Sequence, residues 1–179
     1  MGVLYMDLKS KFRHVMDFPK EGIDFIDITT VLNDSDAFKF AIDEMAKRVL
    51  IANPQVDVII GTESRGFIFG AAIAYKLGKR FVPVRKPGKL PYDTISGKYS
   101  LEYGEDELEM HIDAVNSGDS VVIVDDLLAT GGTVNCVVDM VKQLGGNLAG
   151  AVFLVELSEL KGRTVLQDSG LNVFSVVEI

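Results

Sequence analysis

The chain has 179 residues, 47% hydrophobic and 25% charged, with a formal net charge of −8 and one cysteine. This is the size and balance of one globular domain with a substantial core. The acidic charge argues against a general nucleic-acid surface, no apolar run is long enough to span a membrane, and a lone cysteine excludes an internal disulfide.

Met1 to Asp7 lacks the basic region and apolar core of a secretory signal, and Met6 stands where a myristoylation signal wants Ser or Thr, so a cytoplasmic location is expected. Leu8, Phe12, Val15 and Met16 predict a short amphipathic helix, broken by Phe18-Pro19 and Gly22. Ser35 or Asp36 is placed to cap a second helix that carries Phe38, Ala41, Ile42, Met45, Ala46 and Val49. Val56 to Ile60 reads as a strand, followed by a turn from Gly61 to Gly66 and a helix to about Leu77. Phe81 to Val84 is the next strand.

From Arg85 to about Asn116 the periodicity fades, and Pro87, Gly88, Pro91, Gly97 and Gly104 interrupt a polar stretch. A connection of this length in a compact domain reads as a flexible lid, with alternation over Ser96 to Tyr103 that fits an exposed hairpin. Ser120 to Val124 is the expected central strand, and Val134, Val137, Val138 and Val141 place a helix after it. Strands near Ala149 to Val155 and Asn172 to Val177 complete the set. Strands alternating with helices imply an α/β fold with a doubly wound, mainly parallel sheet, whose ligands sit beyond the carboxyl ends of the strands. Neither repeat nor linker interrupts residues 1–179, so a single domain is expected.

The most informative stretch is Val121-Val122-Ile123-Val124-Asp125-Asp126-Leu127-Leu128-Ala129-Thr130-Gly131-Gly132-Thr133. An apolar β-branched run suits a buried strand, and the Gly/Thr turn after it offers amides, hydroxyls and a helix N-terminus to a phosphate. No Lys follows the glycines, so this is not a Walker A loop. The two carboxylates then need another task, and accepting hydrogen bonds from sugar hydroxyls fits them. Gly61-Thr62-Glu63-Ser64-Arg65-Gly66 is a second anion-ready turn, to which Arg65 adds a charge-assisted contact. Against the acidic background, Arg85, Lys86 and Lys89 form a basic cluster suited to a small polyanion. Cys136 is expected as a buried packing residue, and His14 and His111 as solvated or lid-edge side chains.

The order of acids, small residue, Thr, Gly, Gly and Thr resembles the 5-phosphoribosyl-1-pyrophosphate (PRPP) motif of type I phosphoribosyltransferases. Phe18-Pro19 with Gly22 to Ile28, Glu63-Ser64-Arg65-Gly66-Phe67, Arg85 to Pro91, Tyr99 to Gly104 and Val124 to Thr133 together resemble the adenine phosphoribosyltransferase family, in order and over most of the chain. The resemblance implies transfer of a phosphoribosyl group from PRPP to adenine, giving AMP and pyrophosphate with Mg²⁺, by a cytoplasmic homodimer. It implies that Ala129, Thr130, Gly131, Gly132 and Thr133 hold the 5-phosphate, that Asp125 and Asp126 face the ribose hydroxyls, and that Arg65, Lys86 and Lys89 meet the pyrophosphate. Adenine would lie between Asp24-Phe25-Ile26 and Leu127, with Glu102 handling the N7 proton; no residue is implied as a direct metal ligand, the ion arriving with PRPP. Relatives that act on 6-oxopurines carry an Asp where this chain has Ala129, which favours adenine. A PRPP-sensing regulator of the same fold would need a DNA-binding extension or a basic surface.

Overall fold

The computed structural model describes residues 6–100 and 105–179. By their contacts the residues group into two units, 1–44 and 45–179.

In the first unit, strands β1 (Arg13–Met16) and β2 (Asp24–Asp27) pair antiparallel, with Val15 opposite Phe25. The helix expected over Leu8 to Met16 is thus a 3₁₀ turn at Lys9–Lys11 followed by a strand. Leu8 and Phe12 are buried, but the helical spacing they share with Val15 is accidental, because Val15 alternates along a hairpin. Helix α1 (Thr29–Leu32) follows, with Asp27 Oδ1 accepting from the Thr29 amide at 2.9 Å. Helix α2 (Ser35–Ala52) begins as expected but is capped one residue earlier. Asp34 Oδ1 accepts from the amides of Asp36 and Ala37, both at 3.1 Å.

The second unit is built on five parallel strands, β3 (Val58–Thr62), β4 (Arg80–Val84), β7 (Ser120–Leu128), β8 (Asn147–Glu156) and β9 (Val173–Glu178), in the order β4-β3-β7-β8-β9. All five residues of β3 are buried, as a strand covered on both faces requires. Helix α3 (Gly66–Leu77) lies on β3 and β7, where Gly70 and Gly61 permit a close approach: a Cβ at Gly70 would be 3.3 Å from the Gly61 Cα. The opposite face, with Val58, Ile60, Val121 and Ile123, is covered by helix α4 (Gly132–Gln143) through Val134, Val137, Val138 and Val141. Helix α5 (Gly162–Asp168) adds Leu166 to that core. The expected doubly wound parallel sheet is present.

The stretch expected as an irregular lid is largely a regular hairpin, β5 (Thr94–Ser100) with β6 (Glu105–His111). It is more deeply embedded than an exposed hairpin: Leu108 and Met110 join the main core, and Gly97 lies so close to α4 that a Cβ there would be 2.6 Å from Cys136 Sγ. Cys136 is buried, and burial pushes its thiol up to about 11. No helix among the described residues is long and apolar enough to cross a membrane.

Candidate active site

Strand order decides where the site falls. From β3 the chain runs outward to β4, whereas from β7 it runs the other way through β8 to β9, so the order reverses between β3 and β7. In an open parallel sheet that reversal leaves a crevice beyond the carboxyl ends of the two strands. A cleft of about 400 Å³ opens there, lined by Glu63, Ser64 and Arg65 after β3, Asp125, Asp126 and Leu127 of β7, Thr133 of α4, and Lys86 and Tyr99. A smaller adjoining cavity of about 70 Å³ is enclosed by Asp125 and residues 127–134.

The smaller cavity is the predicted phosphate turn. Gly131 sits at φ +86 as the N-cap of α4, a left-handed conformation that favours glycine. A Cβ there would also approach the Gly162 carbonyl oxygen at 3.2 Å. The first amides of α4 have no acceptor within the helix and face this cavity from the positive end of the helix dipole. Ala129, Thr130, Gly131, Gly132 and Thr133 are therefore together, as expected. One contributor is not evident in the sequence: a Cβ at Gly162, the first residue of α5, would lie 2.2 Å from the Ala129 carbonyl oxygen, so α5 rests directly against the back of the turn. No motif marks Gly162, because its constraint comes from Ala129 in the turn, far upstream in the chain.

The acids lie inside β7 rather than after it, since the strand runs on to Leu128, four residues past its expected end. The cause is β8, which pairs with β7 as far as Leu128–Glu156. Asp125 packs against the start of α3: a Cβ at Gly66 would meet its Oδ1 at 2.8 Å. Its Oδ1 accepts from the Asp126 amide at 2.8 Å. Burial, then the neighbouring Asp126 charge, push the Asp125 carboxyl well above the usual range. Burial also raises Asp126, with Arg65 opposing the shift across a contact of 2.7 Å from its Nε to Asp126 Oδ2. The pair is a half-buried Asp125 that lines both cavities beside a buried Asp126 matched to a guanidinium, not two equivalent free carboxylates.

Glu63 organises the basic side of the cleft, a task the sequence did not suggest. It accepts from the Lys86 amide at 2.7 Å and Arg85 Nε at 3.1 Å, and it pairs with the Lys89 ammonium. Burial pushes its carboxyl up, but the bonds from Lys89, the Lys86 amide and Arg85 more than offset this and hold it down at about 2. The peptide between Glu63 and Ser64 is cis. Arg85 also lies over the Phe67 ring, 5.6 Å from its centroid. Lys86 turns its ammonium to Asp106 of β6, which also accepts from the Tyr99 hydroxyl at 3.0 Å. Arg65, Lys86 and Lys89 thus flank one region, each on a carboxylate.

Among the adenine-side residues, Leu127 lines both the cleft and the smaller cavity. The others belong to the first unit. There Ile26 is buried, so its side chain serves that unit's core, and only its backbone is left for recognition. Phe25 is edge-on to Phe18, with centroids 5.1 Å apart. Asp24 is exposed and lies 2.7 Å from His14 Nδ1, so His14 is partnered rather than simply solvated. Glu102 lies outside the described residues.

The phosphoribosyl transferase domain model matches residues 29–176. An adenine phosphoribosyltransferase of Acetivibrio thermocellus is 61% identical over 97% of this chain and 99% of its own. The chain belongs to the adenine phosphoribosyltransferase family. Solved members of the family share the fold. The enzyme of Thermoanaerobacter pseudethanolicus is 49% identical, with a TM-score of 0.90 over 97% of this chain and 98% of its own. That of Saccharomyces cerevisiae, solved in complex with an imino-altritol 1,6-bisphosphate and adenine, is 40% identical, with a TM-score of 0.89 over 94% and 96%.

Among the described residues no group of three or more His, Cys, Asp or Glu side chains is placed to hold a metal ion. Asp125 is half-buried, and the buried Asp126 is matched by Arg65. This donor set suits a hard cation that keeps most of its oxygen ligands from a phosphorylated substrate, which is the habit of magnesium.

Proposed function

We propose that this adenine phosphoribosyltransferase transfers the 5-phosphoribosyl group of PRPP to adenine, giving AMP and pyrophosphate. The observation that carries the reading is the meeting of two anion-ready turns, after β3 and after β7, in one cleft at the strand-order reversal. A substrate with a phosphate at one end and a pyrophosphate at the other needs two such sites on either side of a ribose. The yeast relative, 40% identical, was solved with a bisphosphate and adenine together.

In this reading the amides of Gly131 to Thr133 and the Thr130 and Thr133 hydroxyls hold the 5-phosphate, with Ala129 closing the turn. Asp125 and Asp126 accept from the ribose hydroxyls, and the negative charge they share favours positive character at the anomeric carbon as the pyrophosphate leaves. Arg65, Lys86 and Lys89 receive the departing pyrophosphate. Magnesium, carried by PRPP, neutralises part of the phosphate charge. Leu127 and Phe25 supply apolar faces for the purine, Ile26 supplies backbone groups, and Asp24 stays with His14. Glu102 handles the N7 proton. Ala129, where 6-oxopurine enzymes carry an Asp, favours adenine.

The whole chain acts as one phosphoribosyltransferase domain and as a homodimer; the exposed Ile68 and Tyr75, seven residues apart on α3, suit a subunit contact. A single buried thiol fits a cytoplasmic setting. Incubation with PRPP, Mg²⁺ and each nucleobase in turn tests the function. AMP from adenine is the expected product, and turnover confined to hypoxanthine or guanine overturns the base assignment.

A further inference from the structure

Each cation assigned to the pyrophosphate side rests on a carboxylate, but the three carboxylates are not alike. Asp126 and Glu63 themselves line the cleft. Asp106 does not; it lies in an adjoining depression with Pro87, Lys98 and Glu107. Lys86 lines the cleft, yet its ammonium is turned to Asp106.

We propose that Asp106 is a positioning residue that acts as an internal stand-in for the substrate pyrophosphate: it holds the Lys86 ammonium aside until PRPP displaces it. The proposal rests on the placement of the pyrophosphate beside Lys86. Three observations separate this role from plain anchoring. First, Lys86 needs no anchor, because its amide is fixed by Glu63 at 2.7 Å. Second, the flanking chain is tied to β6 without Asp106: the Arg85 amide donates to the Glu109 carbonyl at 2.9 Å, the Glu109 amide returns a bond at 2.7 Å, and the Gly88 amide donates to the Glu109 carboxylate at 3.0 Å. Third, Tyr99 and Asp106 are register partners in the hairpin, and the phenol donates to the same carboxylate oxygen that holds Lys86. When the ammonium leaves, the carboxylate keeps the Tyr99 bond and remains accessible to water.

An accessible ion pair of this kind is weak enough to be exchanged for a multiply charged ligand. It still competes with that ligand, because the carboxylate must be displaced first. The consequence is opposite in sign to that of a structural salt bridge: removing the Asp106 charge strengthens binding of the pyrophosphate-bearing substrate. Asp106→Asn keeps an acceptor for Tyr99 while removing that charge.

Titration calorimetry of PRPP and of AMP, which has no pyrophosphate, tests this on the wild type, Asp106→Asn, Lys86→Met and the double variant. The expected result is PRPP affinity raised about two- to fivefold by Asp106→Asn, AMP affinity unchanged, and no such gain in the Lys86→Met background. Unchanged or weaker PRPP binding in Asp106→Asn, while Lys86→Met does weaken PRPP, overturns the stand-in role and leaves the pyrophosphate placement standing. No effect of Lys86→Met on PRPP removes the placement itself. A parallel change for PRPP and AMP assigns Asp106 to the architecture of the hairpin and also overturns the proposal.

Discussion

At Asp125 stability and function pull in opposite directions. Its carboxyl is raised by burial and by the adjacent acid. A group raised on folding is neutral, and without penalty, below its unfolded value; the folded state loses stability as pH rises through the folded value. Asn has nearly the shape of the protonated acid and keeps the acceptor for the Asp126 amide. Asp125→Asn is therefore expected to match the wild type in thermal unfolding at pH 4 and to exceed it increasingly toward pH 8. Since hydrogen bonds to charged groups contribute about 1.5–3 kcal/mol, the same variant should lose more than tenfold in kcat/KM for PRPP. Melting curves at the two pH values with steady-state kinetics check both halves, and a variant both less stable at pH 8 and fully active contradicts the assignment. An acid retained at a cost in stability is expected where function needs it.

Among the elements, α5 is short but sits where a small displacement matters. A methyl group at Gly162 would lie 2.2 Å from the Ala129 carbonyl oxygen and 2.9 Å from Leu128 Cδ1, too close to both. Either α5 or the phosphate turn must move. Overpacking of this kind costs about 1–3 kcal/mol, and for a chain of this length each kcal/mol lowers Tm by about 2–4 °C. Gly162→Ala is expected to lower Tm in that range and to weaken AMP binding at least tenfold, with adenine binding changed less, measured by calorimetry. Wild-type AMP affinity with a lowered Tm would show that α5, not the turn, gives way. Gly162 also shows why parts of the site were hidden in the sequence. The phosphate turn was legible because its amides, glycines and threonines are consecutive, and β7 was legible because a strand buried on both faces is continuously apolar. Glu63, Asp106 and Gly162 were not, because each acts across space on residues far along the chain. The alternation over Ser96 to Tyr103 announced a hairpin, but only as an exposed one in an irregular stretch, for a related reason: its burial of Leu108 and Met110 depends on α4 and the sheet. The expected first helix failed because four apolar residues fit helical spacing while Leu8 and Phe12 flank a 3₁₀ turn and Val15 and Met16 lie in a strand.

At the scale of the whole molecule, both anion-ready turns hang from β3 and β7, adjacent strands near the middle of the five-stranded sheet. A ligand that bridges these turns is linked to the cooperative unfolding of that sheet, not to the fraying of a peripheral loop. The net charge of −8 gives an anion no general affinity for the surface, so stabilisation by AMP has to come from the specific site. Binding to the folded state alone at 100 times Kd adds about 2.7 kcal/mol, which for a chain of this length corresponds to a rise in Tm of about 5–11 °C. Differential scanning calorimetry with AMP should show the main transition moving by that amount, with IMP at the same concentration moving it much less. Proteolysis across the β5–β6 hairpin offers the contrasting measurement. If AMP protected the hairpin from cleavage while Tm stayed within about 1 °C of the ligand-free value, the ligand would be held by the hairpin, and the crevice between β3 and β7 would not be its site.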